Sequence, residues 1–255
     1  MASQAPIAVL IVHGAYFLPA GWEDFGQRLT QAGFIVRCPR LPSCGDTRPP
    51  TAFLEQDVIA VRAAAQELIS SGHAVIVLAH SYGGIVASEA ITQDLYARDR
   101  GKGVAYLIYL SAWLVQQGNS LSDVIAKYGF QSKVEIGFNE DGTIIARNAP
   151  EAFYNDVDVG RAKELTSTWN VTHNRLAARG QVKGAPWKDL PTTYIYCSQD
   201  LAIMLPLQES MVQDAFNAKG TSEIVTETID AGHCPFLSKP EEVLQIVHRV
   251  AAAIG

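Results

Sequence analysis

The chain has 255 residues, of which 48% are hydrophobic and 18% charged, and its formal net charge is −6 at pH 7. This apolar fraction excludes a disordered chain, and the acidic balance argues against a nucleic-acid partner. The longest apolar run near the start, Ile7–Val12, is too short for a membrane span and lacks the basic flank of a secretory signal. We therefore expect a cytoplasmic domain with no membrane partner. The composition leaves the chemistry and the oligomeric state open.

The sequence contains no pattern of metal ligands and no cofactor motif. Its four cysteines include no Cys-x-x-Cys pair, so free thiols are expected rather than disulfides or a metal site. They are Cys38, Cys44, Cys197 and Cys234.

In chain order, six short apolar runs predict β-strands. They occupy residues 7–12, 34–38, 75–80, 104–110, 192–196 and 224–229. Amphipathic stretches between them predict helices over 22–32, 51–71 and 82–97, then from about Pro206 and from Pro240 onward. Continuous apolar strands with intervening helices are typical of a parallel sheet covered on both faces. The predicted fold class is α/β, with a mostly parallel sheet of about six strands.

The alternation stops between residues 113 and 187. A β-hairpin that turns at Asp141-Gly142 is predicted there, between helical stretches. Three of the four tryptophans lie in this segment, as do further aromatic residues: Phe130, Phe138, Phe153 and Tyr154. Because the segment follows the fourth strand, we expect residues 113–187 to form a cap (lid) inserted into an α/β core of residues 1–112 and 188–255.

The sharpest local signal is the motif AHSYGG at residues 79–84, directly after the third apolar run and before a predicted helix. It has the form of a nucleophile elbow, in which a serine sits on a tight, strained turn. Close packing of strand and helix demands small residues two before and two after the serine, where Ala79 and Gly83 stand. The following helix N-terminus favours the negative charge of an oxyanion. Ser81 is the predicted nucleophile, and the alternative is an ordinary Ser-Gly turn.

A serine hydroxyl needs a base to take its proton, and in this fold class the base comes late in the chain. His233 lies in Ala-Gly-His-Cys-Pro, between the last strand and the last helix. The other histidines are less well placed: His13 after the first strand, His73 in a loop, His80 beside the serine, His173 inside the insertion and His248 in the last helix. His233 is therefore the predicted base.

The base needs an acid to orient it. Asp200 follows the fifth strand at its carboxyl end, where catalytic groups gather in open sheets. Asp189 precedes that strand, and Asp230 is a turn residue only three positions from His233. The segment after the fourth strand, residues 111–113, offers no carboxylate. Asp200 is the predicted acid.

An oxyanion hole needs two backbone N–H groups. One is expected from Tyr82, the residue after the nucleophile. The other is expected from Ala15, in the loop after the first strand, where Gly14 lets the chain approach closely.

The motifs IVHGAY…GW, AHSYGG, YCSQDLAIMLPLQ and AGHCPFLSKPEEV resemble those of the α/β-hydrolase fold superfamily. More narrowly, they resemble its small serine esterase branch of plant methylesterases, salicylate-binding esterases and hydroxynitrile lyases. The HSYGG form and the loop at residues 41–43 are similar to fungal members of that branch, and residues 153–156 resemble its cap. The resemblance spans essentially the whole chain, and it implies the same oxyanion donor Ala15, acid Asp200 and base His233.

Two features separate the chain from other chemistries of the superfamily. Hydroxynitrile lyases of this branch place a lysine after the catalytic histidine, whereas this chain has Cys234, whose thiol is ordinarily uncharged at neutral pH. Epoxide hydrolases and dehalogenases use an aspartate at the elbow, which Ser81 excludes.

Five aromatic residues are expected to line an apolar substrate pocket, the alternative being that they pack the cap against itself. They are Tyr16, Phe17, Trp113, Phe153 and Trp169. No cation clamp for an acidic substrate is evident. We therefore expect cofactor-independent hydrolysis of a small neutral ester or lactone through an acyl-enzyme.

Two other functions stay open at this point. The same triad could serve a tailoring enzyme of natural-product biosynthesis, by lactonisation, acyl transfer or carbon–carbon cleavage. The fold also supports a small-molecule receptor with vestigial catalysis.

Overall fold

The computed structural model describes residues 5–45, 47–98, 101–129, 131–219 and 224–254. Phe130, one of the aromatic residues of the insertion, lies outside these ranges. Six strands form the central sheet: β1 (Ile7–Val12), β2 (Ile35–Arg37), β3 (Ala74–Ser81), β4 (Gly103–Ala112), β8 (Thr192–Cys197) and β9 (Ile224–Ile229). Their order across the sheet is β2-β1-β3-β4-β8-β9, and every neighbouring pair is parallel. The predicted fold class is confirmed.

Five helices cover the two faces of this sheet: α1 (Glu23–Gln31), α2 (Leu54–Ser70), α3 (Gly83–Ala90), α7 (Leu205–Lys219) and α9 (Pro240–Ile254). Alternate residues of β1 divide between two cores. Leu10 packs with side chains of α2, α3 and α7, whereas Ile11 packs with side chains of α1 and α9. Both faces of the central strands are therefore buried, which is why β1 and β3 are continuous apolar runs. Within the described ranges, no helix is long and apolar enough to cross a membrane.

One helix is shorter than its pattern predicts. The helix expected over 82–97 ends at Ala90, and a 3₁₀ turn, Gln93–Leu95, follows it. Ile91 is extended, with φ −94° and ψ 100°. Arg62 of α2 donates a hydrogen bond to the carbonyl oxygen of Ala90 and another to the hydroxyl of Thr92. Contacts from a neighbouring helix thus satisfy groups that helix continuation would have used.

The segment between β4 and β8 contains a second, three-stranded sheet: β5 (Ile136–Phe138), β6 (Thr143–Ala146) and β7 (His173–Asn174). β5 and β6 form the predicted hairpin, and Gly142 in its turn has φ +87°, a conformation that glycine adopts without steric cost. The helices of the segment are α4 (Leu121–Tyr128), α5 (Ala149–Phe153) and α6 (Val159–Trp169). The short helix α8 (Pro235–Ser238) lies between β9 and α9. The assignment of residues 113–187 as a cap stays a prediction.

Candidate active site

Ser81 is the last residue of β3, and it has φ +53°, which is rare for a residue with a side chain. The strain follows from the sharp turn into α3. A Cβ atom on Gly83 would lie 2.1 Å from the carbonyl oxygen of Val12, so the chain passes close to β1 at that point. Ser81 lines a cavity of about 310 Å³. These contacts are those expected of a strained nucleophile elbow.

Replacing Gly83 by alanine is expected to lower the free energy of unfolding by about 3 kcal/mol or more, because the new methyl group meets backbone oxygens of Val12 and His13 that cannot rotate away. Urea denaturation followed by circular dichroism measures the effect. Gly26→Ala is the matched control, since its Cβ would lie 3.8 Å from Val36 within helix α1. It should be neutral or stabilising. Equal stability of the two variants would contradict the close approach at Gly83.

Asp200 follows β8 and is 3% exposed. Its Oδ1 accepts hydrogen bonds from the backbone N–H groups of Ala202 (2.6 Å) and Ile203 (3.0 Å). Its Oδ2 accepts from Nδ1 of His233 at 2.8 Å and from the hydroxyl of Ser111. A carboxylate can only accept, so this arrangement places the Nδ1 proton of His233 toward Asp200.

His233 is fully buried, and its Nε2 makes no hydrogen bond to any described residue. With the proton on Nδ1, Nε2 carries a free lone pair. The His233 ring lies 4.6 Å from the ring of His80, the residue before Ser81, and 5.5 Å from that of Phe153 in the cavity wall. Nε2 of His80 also donates to the carbonyl oxygen of His233 at 2.8 Å. The structure thus brings the predicted base against the predicted acid and beside the turn that carries Ser81.

The two alternative carboxylates, Asp189 and Asp230, have other hydrogen-bond partners than His233. Asp189 is exposed, and its carboxylate accepts a 3.4 Å hydrogen bond from the hydroxyl of Tyr96. Asp230 accepts from the side chains of Ser198 and Gln199. Neither of them contacts His233.

Ser111 is a site residue that the sequence analysis missed. It is fully buried near the end of β4, has φ +40° and donates to the carboxylate of Asp200. The segment 111–113 contains no carboxylate, and its hydroxyl carries no local motif. The signal that could have found Ser111 is its position at the end of a strand adjacent to β8, where a hydroxyl reaches the acid.

The loop after β1 brings Ala15 to the cavity, and Tyr82 at the start of α3 lines it as well. Tyr16 has φ +68°, and its carbonyl oxygen accepts from the N–H of Val171 at 2.9 Å, which ties the loop to the insertion. Both residues predicted to form the oxyanion hole therefore lie at the same cavity as Ser81.

Three of the five aromatic residues expected in the pocket line this cavity: Tyr16, Trp113 and Phe153. The other two, Phe17 and Trp169, are not among its lining residues. Phe17 is 2% exposed and packs in the core against His80. Trp169 ends α6 and packs against Gly21 and under the guanidinium of Arg161, because α6 docks on the segment that precedes α1.

The cavity also has two arginines in its lining, Arg175 and Arg179. The sequence analysis found no cation clamp, and these residues remove the basis for expecting a neutral substrate. Nothing in the local pattern marks them, since they reach the cavity through the pairing of β7 with β6.

Two residues of the insertion brace the loops that carry the predicted acid and the predicted base. Asn155 donates to the carbonyl oxygen of Gln199 at 2.9 Å, next to Asp200. Asp156 accepts from the N–H of Gly232 at 2.7 Å, next to His233. The insertion is therefore in direct contact with both loops.

A second buried polar cluster adjoins the cavity. Asp57 accepts hydrogen bonds from the N–H (2.8 Å) and the hydroxyl (2.5 Å) of Ser43 and from the hydroxyl of Tyr82 (2.9 Å). Since the Ser43 proton goes to the carboxylate, the 3.1 Å contact between Ser43 and His173 requires Nε2 of His173 to donate. His173, set aside above as the base, therefore serves the cavity wall as a neutral ring.

Three buried histidines are expected to make the protein acid-sensitive. Burial lowers the pKa of His13 to about 4 and that of His173 to about 3, and it lowers the pKa of His80 well below its usual value. In the unfolded chain these histidines have their ordinary pKa near 6.5, so between about pH 6.5 and pH 4 the unfolded chain binds more protons than the native state. The free energy of unfolding therefore falls as the pH falls. Asp57, whose pKa burial raises, acts in the opposite direction but with at most one proton.

We expect the free energy of unfolding to decrease between pH 7.5 and 5.5 by roughly 1.4 kcal/mol per histidine, measured by urea denaturation. His173→Gln keeps a hydrogen-bond donor for Ser43. In this variant the decrease in the free energy of unfolding should be smaller by the contribution of one histidine, roughly 1.4 kcal/mol. Stability that is flat or rising over this interval would contradict the neutral state of the three rings.

A six-stranded parallel sheet with a strained serine on the turn from its third strand into a helix is the architecture of an α/β-hydrolase. The family model described as the alpha/beta hydrolase family matches residues 9–246, and the chain belongs to this family. The resemblance read from the motifs is thus confirmed.

Relatives and solved structures agree with this membership. The chain is 30% identical over 254 residues to the alpha/beta hydrolase nvfD of Aspergillus novofumigatus, covering 96% of each chain. It is 26% identical over 192 residues to methylesterase 7 of Arabidopsis thaliana, covering 69% of each. The crystal structure of a pyrethroid hydrolase, PytH, superimposes with a TM-score of 0.76 at 19% identity, covering 97% of this chain and 98% of that one. This last likeness concerns the fold.

Proposed function

We propose that the protein is a serine hydrolase that cleaves an ester or lactone of a small apolar or aromatic substrate through an acyl-enzyme. The observation that carries this proposal is the buried pair of Asp200 and His233. Nε2 of His233 makes no hydrogen bond to any described residue, and its ring lies against His80, the residue before Ser81 in the cavity lining. Such a nitrogen is a base without a proton, positioned for a hydroxyl.

In the proposed reaction the Ser81 oxygen attacks the ester carbonyl, and its proton passes to Nε2 of His233. Asp200 stabilises the imidazolium that forms, without itself taking the proton. The N–H groups of Ala15 and Tyr82, together with the N-terminus of α3, stabilise the oxyanion. His233 then protonates the leaving alcohol and activates the water that releases the acyl group.

The segment 113–187 acts in this proposal as the cap. It supplies Trp113 and Phe153 to the cavity, and their aromatic faces favour an apolar or aromatic group next to the ester. The volume of about 310 Å³ is at the lower end of small-molecule sites, which favours a compact substrate.

Labelling with a fluorophosphonate probe, followed by a panel of esters of increasing chain length, tests the proposal. We expect one probe molecule per chain, attached to Ser81, and turnover that declines as the acyl chain outgrows the cavity. Absence of labelling in a folded protein would overturn it. Ligand-dependent stabilisation with negligible turnover would favour the receptor function instead.

A further inference from the structure

The cavity at Ser81 has two arginines in its lining, although the chain as a whole carries a net charge of −6. Arg175 and Arg179 line it, and none of the described residues in its lining is acidic. His173 adds no charge, because burial lowers its pKa to about 3. A cleft lined by charges of one sign concentrates the potential and attracts ligands of the opposite sign.

The two guanidinium groups lack the partners that other arginines of this protein have. Six arginines form ion pairs with acidic side chains: Arg28 with Glu241, Arg37 with Glu67, Arg48 with Asp141, Arg62 with Asp94, Arg161 with Glu164 and Arg249 with Glu227. Across the described ranges, neither Arg175 nor Arg179 forms an ion pair or a side-chain hydrogen bond. Their charge is therefore left for a ligand.

The carboxylate of Asp141, which lies in the hairpin turn next to Arg175, already pairs with another arginine. The N–H of Arg175 donates to the carbonyl oxygen of Gly142, so the hairpin turn that contains Asp141 lies against it. Asp141 accepts hydrogen bonds from Arg48 at 2.5 Å and from the hydroxyl of Thr143 at 2.6 Å. The adjacent acid thus neutralises a different arginine.

The backbone that carries the two arginines is held in place. Asn174 is 2% exposed, and its side-chain amide donates to the carbonyl oxygen of Ala52 at 2.7 Å. The side-chain oxygen of Asn174 accepts from the N–H of Leu176, and the N–H of Arg179 donates to the carbonyl oxygen of Leu176. Both arginines are exposed residues that line the same cavity, and a turn anchored in this way loses little backbone entropy when they bind a ligand.

We propose that Arg175 and Arg179 bind a carboxylate of the substrate, so that the protein acts on esters or lactones that carry a second, anionic end. The inference rests on the proposed function, since Ser81 is taken as the site of the ester. Guanidinium groups match a carboxylate with paired N–H donors, and an alkyl or aryl group in the place of the carboxylate has no oxygen to accept them. The substrate class is therefore a monoester of a dicarboxylic acid, or an ester whose alcohol part bears the carboxylate.

The test compares esters that differ only in this carboxylate group. Monomethyl adipate against methyl hexanoate places the carboxylate on the acyl side, and 3-carboxyphenyl butyrate against phenyl butyrate places it on the alcohol side. We expect the anionic member of at least one pair to have the higher kcat/KM.

In the double variant Arg175→Gln with Arg179→Gln, this preference should fall roughly 10- to 50-fold, the scale of one or two charge-assisted hydrogen bonds at a partly exposed site. Arg249→Gln, at a surface ion pair with Glu227, is the control that should keep the preference.

Binding gives a readout that does not depend on turnover. Adipate should raise the melting temperature of the wild-type protein by about 2 °C at saturating concentration, and neutral adipamide should not. The shift should disappear in the double variant and shrink at high salt.

The outcomes separate the two proposals. Turnover of both members of each pair at equal kcat/KM, without stabilisation by adipate, would overturn the carboxylate site and leave the serine hydrolase standing. Absence of probe labelling and of turnover for every ester would instead overturn the proposed function, whether or not adipate binds.

Discussion

Replacing Ser81 by alanine is expected to lower kcat for ester hydrolysis by about 10⁴-fold or more, because the acyl-enzyme has no other oxygen on which to form. Ser81 lies on the elbow at the end of β3 and lines the cavity. The variant should also lose labelling by the fluorophosphonate probe. Stopped assays with a short chromogenic ester measure the first effect, and mass spectrometry of the labelled chain measures the second.

Ser167→Ala is the control for this experiment, since Ser167 is exposed on α6 and lies outside the cavity lining. It should keep full activity. The melting temperature of Ser81→Ala should stay near that of the wild type, because alanine at φ +53° carries the same backbone strain as serine. A Ser81→Ala protein that is folded and still hydrolyses the ester at more than a tenth of the wild-type rate would refute the assignment of the nucleophile.

Much of the fold could be predicted because its determinants are local. The continuous apolar runs of β1 and β3 arise from a sheet buried on both faces, and such a sheet needs parallel strands joined by helices. The placement of Asp200 and His233 followed from topology. The carboxyl ends of parallel strands share one edge, so residues after β8 and β9 meet near the end of β3.

The cavity walls could not be predicted in the same way. Arg175 and Arg179 reach the site only because β7 pairs with β6, a contact between segments about 30 residues apart whose register no local pattern reveals. Trp169 illustrates the converse, since an aromatic residue in the insertion is as suited to packing against Gly21 as to lining a pocket. Side chains whose environment depends on how one segment docks on another therefore need the structure.

Ser111 combines a strained backbone with a hydrogen bond to the site. Its hydroxyl donates to Asp200 from the end of β4, where the residue is held at φ +40°. A strained backbone at a buried position persists only where the surrounding contacts enforce it. The carboxylate of Asp200 is thus held by the strand end at Ser111 and by its own loop through Ala202. The side chains of Gln208 and of the predicted base His233 also donate to it. The orientation of the Asp200 carboxylate is therefore fixed by contacts within the core.

Asp200→Asn is expected to lower kcat by about 10⁴-fold while leaving the fold intact. The amide has one acceptor oxygen in place of two, and its NH₂ group would face Nδ1 of His233. Nδ1 then becomes the acceptor, the proton moves to Nε2, and the ring can no longer take a proton from Ser81.

The matched control is Asp189→Asn, the carboxylate at the opposite end of the same strand, which contacts Tyr96 and not His233. It should retain the wild-type kcat. The two variants have the same change in charge and side-chain volume, so a difference in rate separates what Asp200 contributes through its contact with His233 from the effect of net charge. Measurement of kcat from pH 6 to 9 completes the test. Equal loss of rate in both variants would show that net charge, rather than the orientation of the base, is what Asp200 contributes.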